Sequence, residues 1–184
     1  MNESASSGSP RGLPGLRGVD HIGFTVPDIE TAHEFLVDVL GCIHVYSLGP
    51  FPADPEFMRD KLGVRSDAVM EEIRLYRCVV GANFEVFQYS TAGQQRIPPM
   101  NSDVGGHHVA LYVEDLDVAI AHLRSHEVEV MGEPTASGAA SAGQRWVYFR
   151  APWGMQFELV SFPQGKAYEA EAKERLWDPR NPGD

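Results

Sequence analysis

Two stretches decide the fold: Asp20-His21-Ile22-Gly23-Phe24-Thr25-Val26-Pro27-Asp28-Ile29 and His107-His108-Val109-Ala110-Leu111-Tyr112-Val113-Glu114-Asp115-Leu116. They align at an offset of 108 − 21 = 87. Farther on, Gly81-Ala82-Asn83-Phe84-Glu85-Val86 aligns with Gly154-Met155-Gln156-Phe157-Glu158-Leu159 at 158 − 85 = 73. A repeat of this kind fixes the architecture before any single element is assigned. The difference, 87 − 73 = 14 residues, is an insertion in the first unit, placed near 47–69, where Pro50, Pro52 and Pro55 lie.

Each unit reads as a strand, a helix and further strands. Asp28 is a candidate N-cap for a helix striped by Ile29, Ala32, Leu36, Val39 and Leu40 and stopped at Gly41. Asp115 caps the matching helix, with Leu116, Ala119, Ile120 and Leu123 as its stripe. Ile73–Val79 and Arg145–Phe149 read as strands, each followed by a turn and a last strand carrying a glutamate. The expectation is an α+β fold. It is built of two βαβββ modules. The boundaries are a flexible leader at 1–17, a first module at 18–90, a second at 104–162, and a tail at 163–184. Within the tail, Lys166–Trp177 reads as a short amphipathic helix.

Side chains alternate along a strand, so parity separates the faces. Ile22, Phe24 and Val26 share one face and His21, Gly23 and Thr25 the other. Val109, Leu111 and Val113 likewise oppose His108, Ala110 and Tyr112, while His107 falls on the wrong side. Glu85 and Glu158 each sit between apolar strand residues, where a carboxylate is costly unless paired or coordinated. A histidine and a glutamate repeated in both units point to a divalent metal held by His21, Glu85, His108 and Glu158. Two imidazoles and two carboxylates neutralise a 2+ ion, and the mixed donor set suits Ni, Co, Zn, Fe or Mn. His33, His122 and His126 read as solvated helix-face residues, and Cys42 and Cys78 as buried small hydrophobes.

Composition narrows the classes. The chain has 184 residues, with 15 basic and 26 acidic side chains and a net charge of −11. That excludes a general nucleic-acid binder and disfavours anionic membrane and polyanionic substrates. No apolar run approaches the length of a membrane span. Two cysteines make no disulfide framework and fit a reducing, cytoplasmic setting.

These motifs resemble the vicinal oxygen chelate superfamily, which includes glyoxalase I, methylmalonyl-CoA epimerase, extradiol dioxygenases and bleomycin-resistance proteins. The resemblance covers roughly Leu16 to Phe162 and is carried by the strands quoted above together with Trp153-Gly154-Met155-Gln156-Phe157-Glu158-Leu159-Val160. It implies paired modules forming a cupped, partly closed mixed sheet around one metal site, with the helices outside and the metal at the four positions named. The His, Glu, His, Glu set is similar to that of bacterial-type glyoxalase I. Those enzymes, however, usually follow the first glutamate with Leu-Thr-x-Asn, where this chain has Val86-Phe87-Gln88-Tyr89. Methylmalonyl-CoA epimerases usually carry glutamine where Glu85 stands, and extradiol dioxygenases use only two histidines and one carboxylate.

The leading expectation is a metal-dependent epimerase or isomerase of a small hydroxyketone, such as a keto-sugar or cyclitol. It acts by proton transfer next to the carbonyl through an enediolate. Glu85 and Glu158 are the base and acid, and Tyr112 and Tyr148 are weaker candidates for hydrogen bonds to substrate. A glyoxalase I-type lyase is the alternative, an extradiol ring-cleavage dioxygenase the second, and a non-enzymatic binding module the last. A homodimer is expected as the assembly, and the sequence leaves open whether a site closes within one chain or across two.

Overall fold

A computed structural model of the chain describes residues 12–183. The leader expected at 1–17 falls mostly outside these residues. Strand β1 (His21–Val26) leads through Asp28 into helix α1 (Ile29–Glu34), which continues as a π-helical turn over Phe35–Val39. The Asp28 carboxylate accepts from the Thr31 backbone N–H at 2.7 Å, and Gly41 ends the segment at φ +73°. Then come β2 (Ile43–Leu48), α2 (Pro55–Asp60), β3 (Val69–Arg77) and β4 (Asn83–Ser90). The second module repeats this order without α2: β5 (Val109–Tyr112), α3 (Leu116–Ser125), β6 (Glu129–Ala136), β7 (Arg145–Arg150) and β8 (Gln156–Ser161).

The two modules make separate four-stranded mixed sheets, ordered β1-β4-β3-β2 and β5-β8-β7-β6. In each, the first strand lies parallel beside the last, the glutamate strand. The register places Gly23 opposite Glu85 and Ala110 opposite Glu158. The expected α+β class and repeated βαβββ units are therefore present, as two open sheets rather than a closed barrel.

The apolar face of both sheets enters one core. Phe24, Phe84 and the α1 residues Ile29 and Phe35 are buried with Trp153, Phe157 and the α3 residues Leu116 and Ile120. Phe24 stacks on Trp153 at 6.0 Å, and the Phe84 and Phe157 rings lie 6.3 Å apart. The modules thus share a core through the faces opposite His21 and His108.

Three expectations need correction. Lys166–Trp177 does not form a helix: only a 3-10 turn, Ala167–Ala170, appears there. An isolated helix of that length is marginal. The tail is instead tied down by Arg180, which bridges Glu169 and Asp178 at 2.8 Å each. The pairing holds the Asp178 carboxyl down at about 2. Second, Cys42 and Cys78 are joined as a disulfide rather than lying apart as small hydrophobes. They flank the Ile43–Arg77 pair of the β2–β3 ladder, which brings their Cα atoms to 4.5 Å. The cysteines therefore give no argument for a reducing compartment. Third, His33 is half-buried rather than solvated, whereas His122 is exposed as expected. His33 Nδ1 meets the buried Tyr76 hydroxyl at 3.1 Å, and His122 Nε2 donates to the Val39 carbonyl at 2.9 Å, bridging the modules.

Candidate functional site

The first candidate pair grows from the head of β1. His21 and Glu85 point to the same side of the first sheet, with Nε2 and Oε2 3.1 Å apart. His21 Nδ1–H donates to the Asp20 carboxylate at 2.8 Å, which fixes the ring and leaves Nε2 toward Glu85. That hydrogen bond, with the charges of Glu85 and Asp20 adding to it against partial desolvation, raises the His21 pKa above the ordinary histidine value. Gly23 keeps the adjoining space clear. A Cβ there would stand 3.7 Å from Glu85 Oε2 and 3.4 Å from the Phe87 ring.

The second pair repeats the arrangement. His108 Nε2 lies 3.0 Å from Glu158 Oε2. Asn101, from the segment between the modules, approaches His108 Nδ1 at 3.4 Å. Tyr148 stands opposite Glu158 in the β7–β8 ladder, with its ring 5.0 Å from His108. Burial pushes the Glu158 carboxyl above the ordinary glutamate value, and the neighbouring His108 and Lys166 charges pull only partly against it. His107 turns away and bonds to the Gly105 carbonyl, as parity requires.

The four expected ligands are therefore brought together as two pairs, not as one cluster. Among the described residues no group of three or more histidine, cysteine, aspartate or glutamate side chains gathers. Each pair nevertheless suits a divalent ion. Metal–nitrogen and metal–oxygen bonds of about 2.1 Å at a right angle put two donor atoms about 3 Å apart. The pairs stand at 3.1 and 3.0 Å.

The two cups differ in lining. On the first sheet, the segment carrying α2 folds back over the strand face. Met58 from α2 packs with Met70 and Ile73, and Phe51, Val64, Leu75, Phe87 and Tyr89 adjoin. Phe87 and Tyr89, two and four residues past Glu85, stack at 5.6 Å. On the second sheet the same-face neighbours are Trp146 and Tyr148, whose rings lie 5.4 Å apart, and Tyr112, which rests against Phe162 at 4.8 Å. Sequence reading missed Asp20 and Asn101 as ring-orienting groups. For Asp20 the signal was an acid directly before a candidate ligand. Asn101 lies in an irregular segment and gave none.

Comparison with known proteins agrees with this architecture. The family model described as "Glyoxalase/Bleomycin resistance protein/Dioxygenase superfamily" matches residues 20–149. A 2-epi-5-epi-valiolone epimerase from an Actinomyces species is 42% identical over 171 residues, covering 92% of each chain. A glyoxalase family protein from Bacillus cereus superposes with a TM-score of 0.62 at 20% identity, over 82% of this chain and 98% of that one. A fosfomycin resistance protein from Listeria monocytogenes, in complex with Mn(II), superposes with a TM-score of 0.56 at 15% identity, over 85% and 99%. With the family model spanning most of both modules, the chain belongs to the glyoxalase/bleomycin resistance protein/dioxygenase superfamily.

Proposed function

We propose that the protein is a metal-dependent epimerase of a small polyhydroxylated ketone of the cyclitol type. The reading is carried by the 42% identity, over nearly the whole chain, to a 2-epi-5-epi-valiolone epimerase. The repeated His–Glu pairs supply matching chemistry. His21, Glu85, His108 and Glu158 would hold a divalent ion, which would supply Lewis-acid stabilisation to negative charge developing on the substrate oxygens. Ni, Co, Zn, Fe and Mn all suit this donor set, and a relative of the same fold holds Mn(II).

The chain's own residues do the rest. One of Glu85 and Glu158 removes the proton from the carbon beside the carbonyl, and the other returns a proton to the opposite face. Tyr148, across the ladder from Glu158, donates a hydrogen bond to a substrate oxygen in this reading. Gly23 and Ala110 leave room beside the carboxylates for the substrate carbon.

The complete site, in this reading, forms between two copies. The His–Glu pairs lie on sheet faces turned away from the shared core, so each chain carries two halves. A two-fold dimer joins His21 and Glu85 of one copy to His108 and Glu158 of the other, twice over.

Metal-loaded protein incubated with a 2-epi-5-epi-valiolone-type ketone in deuterated water tests the activity. Deuterium is expected at the carbon next to the carbonyl, together with the epimer. Absence of both exchange and epimer, with metal bound, would overturn the reading.

A further inference from the structure

The tail places a cation on the substrate side of the second sheet. Along β8 the residues alternate, so Glu158 and Val160 share a face, and Phe162 continues that row just past the strand. Contact of the Phe162 ring with Tyr112, from the matching face of β5, confirms the side it takes. Lys166 then crosses back and sets its ammonium 4.2 Å from the centre of the Phe162 ring.

This lysine is held in place and, among the described residues, is left without a carboxylate partner. Its backbone N–H donates to Glu169 Oε1 at 2.8 Å, and the Ala167 N–H donates to the Ala142 carbonyl at 2.9 Å. Gly143 and Gly165 pass so closely that a Cβ on Gly143 would lie within van der Waals overlap of the Gly165 carbonyl oxygen. Glu169 and Asp178, the nearby acids of the tail, are both committed to Arg180. Among the described residues no carboxylate oxygen lies within 4.0 Å of the Lys166 ammonium.

We propose that Lys166 is a specificity-determining residue that donates a hydrogen bond to a hydroxyl of the substrate remote from its carbonyl. The inference rests on the polyhydroxylated ketone reading above. A single unpaired ammonium beside aromatic rings matches a neutral polyol better than a phosphate, whose double charge would call on a second free cation. Phe87, Tyr89 and Leu75 offer an apolar surface for the hydrogen-bearing edge of the same ring. Substrate therefore has one way round in the site, with its far hydroxyl toward the tail.

Titration calorimetry reads this without requiring turnover. A polyhydroxylated cyclic ketone and its analogue lacking the hydroxyl farthest from the carbonyl are titrated into metal-loaded wild-type, K166M and K166R proteins. The wild type is expected to prefer the full polyol by about tenfold or more, the value of a charged hydrogen bond. K166M should bind both ligands equally, and K166R should recover part of the preference. An equal preference in wild type and K166M overturns the proposal, as does a wild type that binds neither ligand. Binding with the expected preference but without solvent exchange would instead refute the epimerase reading and leave the Lys166 contact standing.

Discussion

Replacing Phe157 with alanine probes the packing on which the two-copy site depends. Phe157 is fully buried and touches rings from both modules. Its centroid lies 6.0 Å from Phe35 and 6.3 Å from Phe84 in the first module, and 5.6 Å from Phe149 and 6.5 Å from Trp153 in the second. Truncating a buried phenylalanine costs about 3–5 kcal/mol, and aromatic pairs add to burial, so the upper half of that range is expected. For a chain of this size about 4 kcal/mol corresponds to a fall in Tm of roughly 8–16 °C. Calorimetric unfolding of wild type and F157A, both stripped of metal by chelator, measures it. One cooperative transition is expected in each, because the modules share a core. A loss below about 1.5 kcal/mol, or two separate transitions in wild type, would refute a common core and with it the outward placement of the His–Glu pairs.

Other expectations concern the site directly. Because burial raises the Glu158 pKa, its contribution to metal-free stability is present below the ordinary glutamate value of 4.5 and is lost as pH rises through the raised one. Tm measured against pH in chelator should show that decline, and E158Q should flatten it. G23V would press a branched side chain against Glu85 and Phe87, so at least about a tenfold loss of turnover is expected with folding intact by circular dichroism. D20N removes the carboxylate that orients the His21 ring, and metal affinity followed by competition with a chromophoric chelator should fall about 10–100-fold.

How much of this was legible in the sequence depends on whether the signal was repeated. The strand parity of His21 and His108, the glutamates in β4 and β8, and the caps at Asp28 and Asp115 each occur twice, and the repeat made each reading a check on the other. Features present once were harder. The 47–69 insertion was located from the offset difference, yet its packing of Met58 against Met70 and Ile73 has no partner in the second module to announce it. The Lys166–Trp177 segment carries helix formers, but Arg180 and its two acids decide its path from outside that window. The Cys42–Cys78 pairing depends on the register of β2 against β3, which spacing in the chain does not reveal. The same holds for the four-ligand set. Parity assigned each residue to a face, whereas the shared core, which turns those faces apart, is a tertiary fact.

In the proposed dimer, one site draws His21 and Glu85 from one copy and His108 and Glu158 from the other. Mixing two inactive variants tests it most directly. One variant carries H21A and E85Q, the other H108A and E158Q, and the two are unfolded together, refolded with metal and assayed for solvent exchange. Random pairing makes half of the dimers mixed, and each mixed dimer has one intact site of two, so about a quarter of wild-type activity is expected. A mixture as inactive as its parents, with mixed dimers demonstrated by mass, would contradict the account.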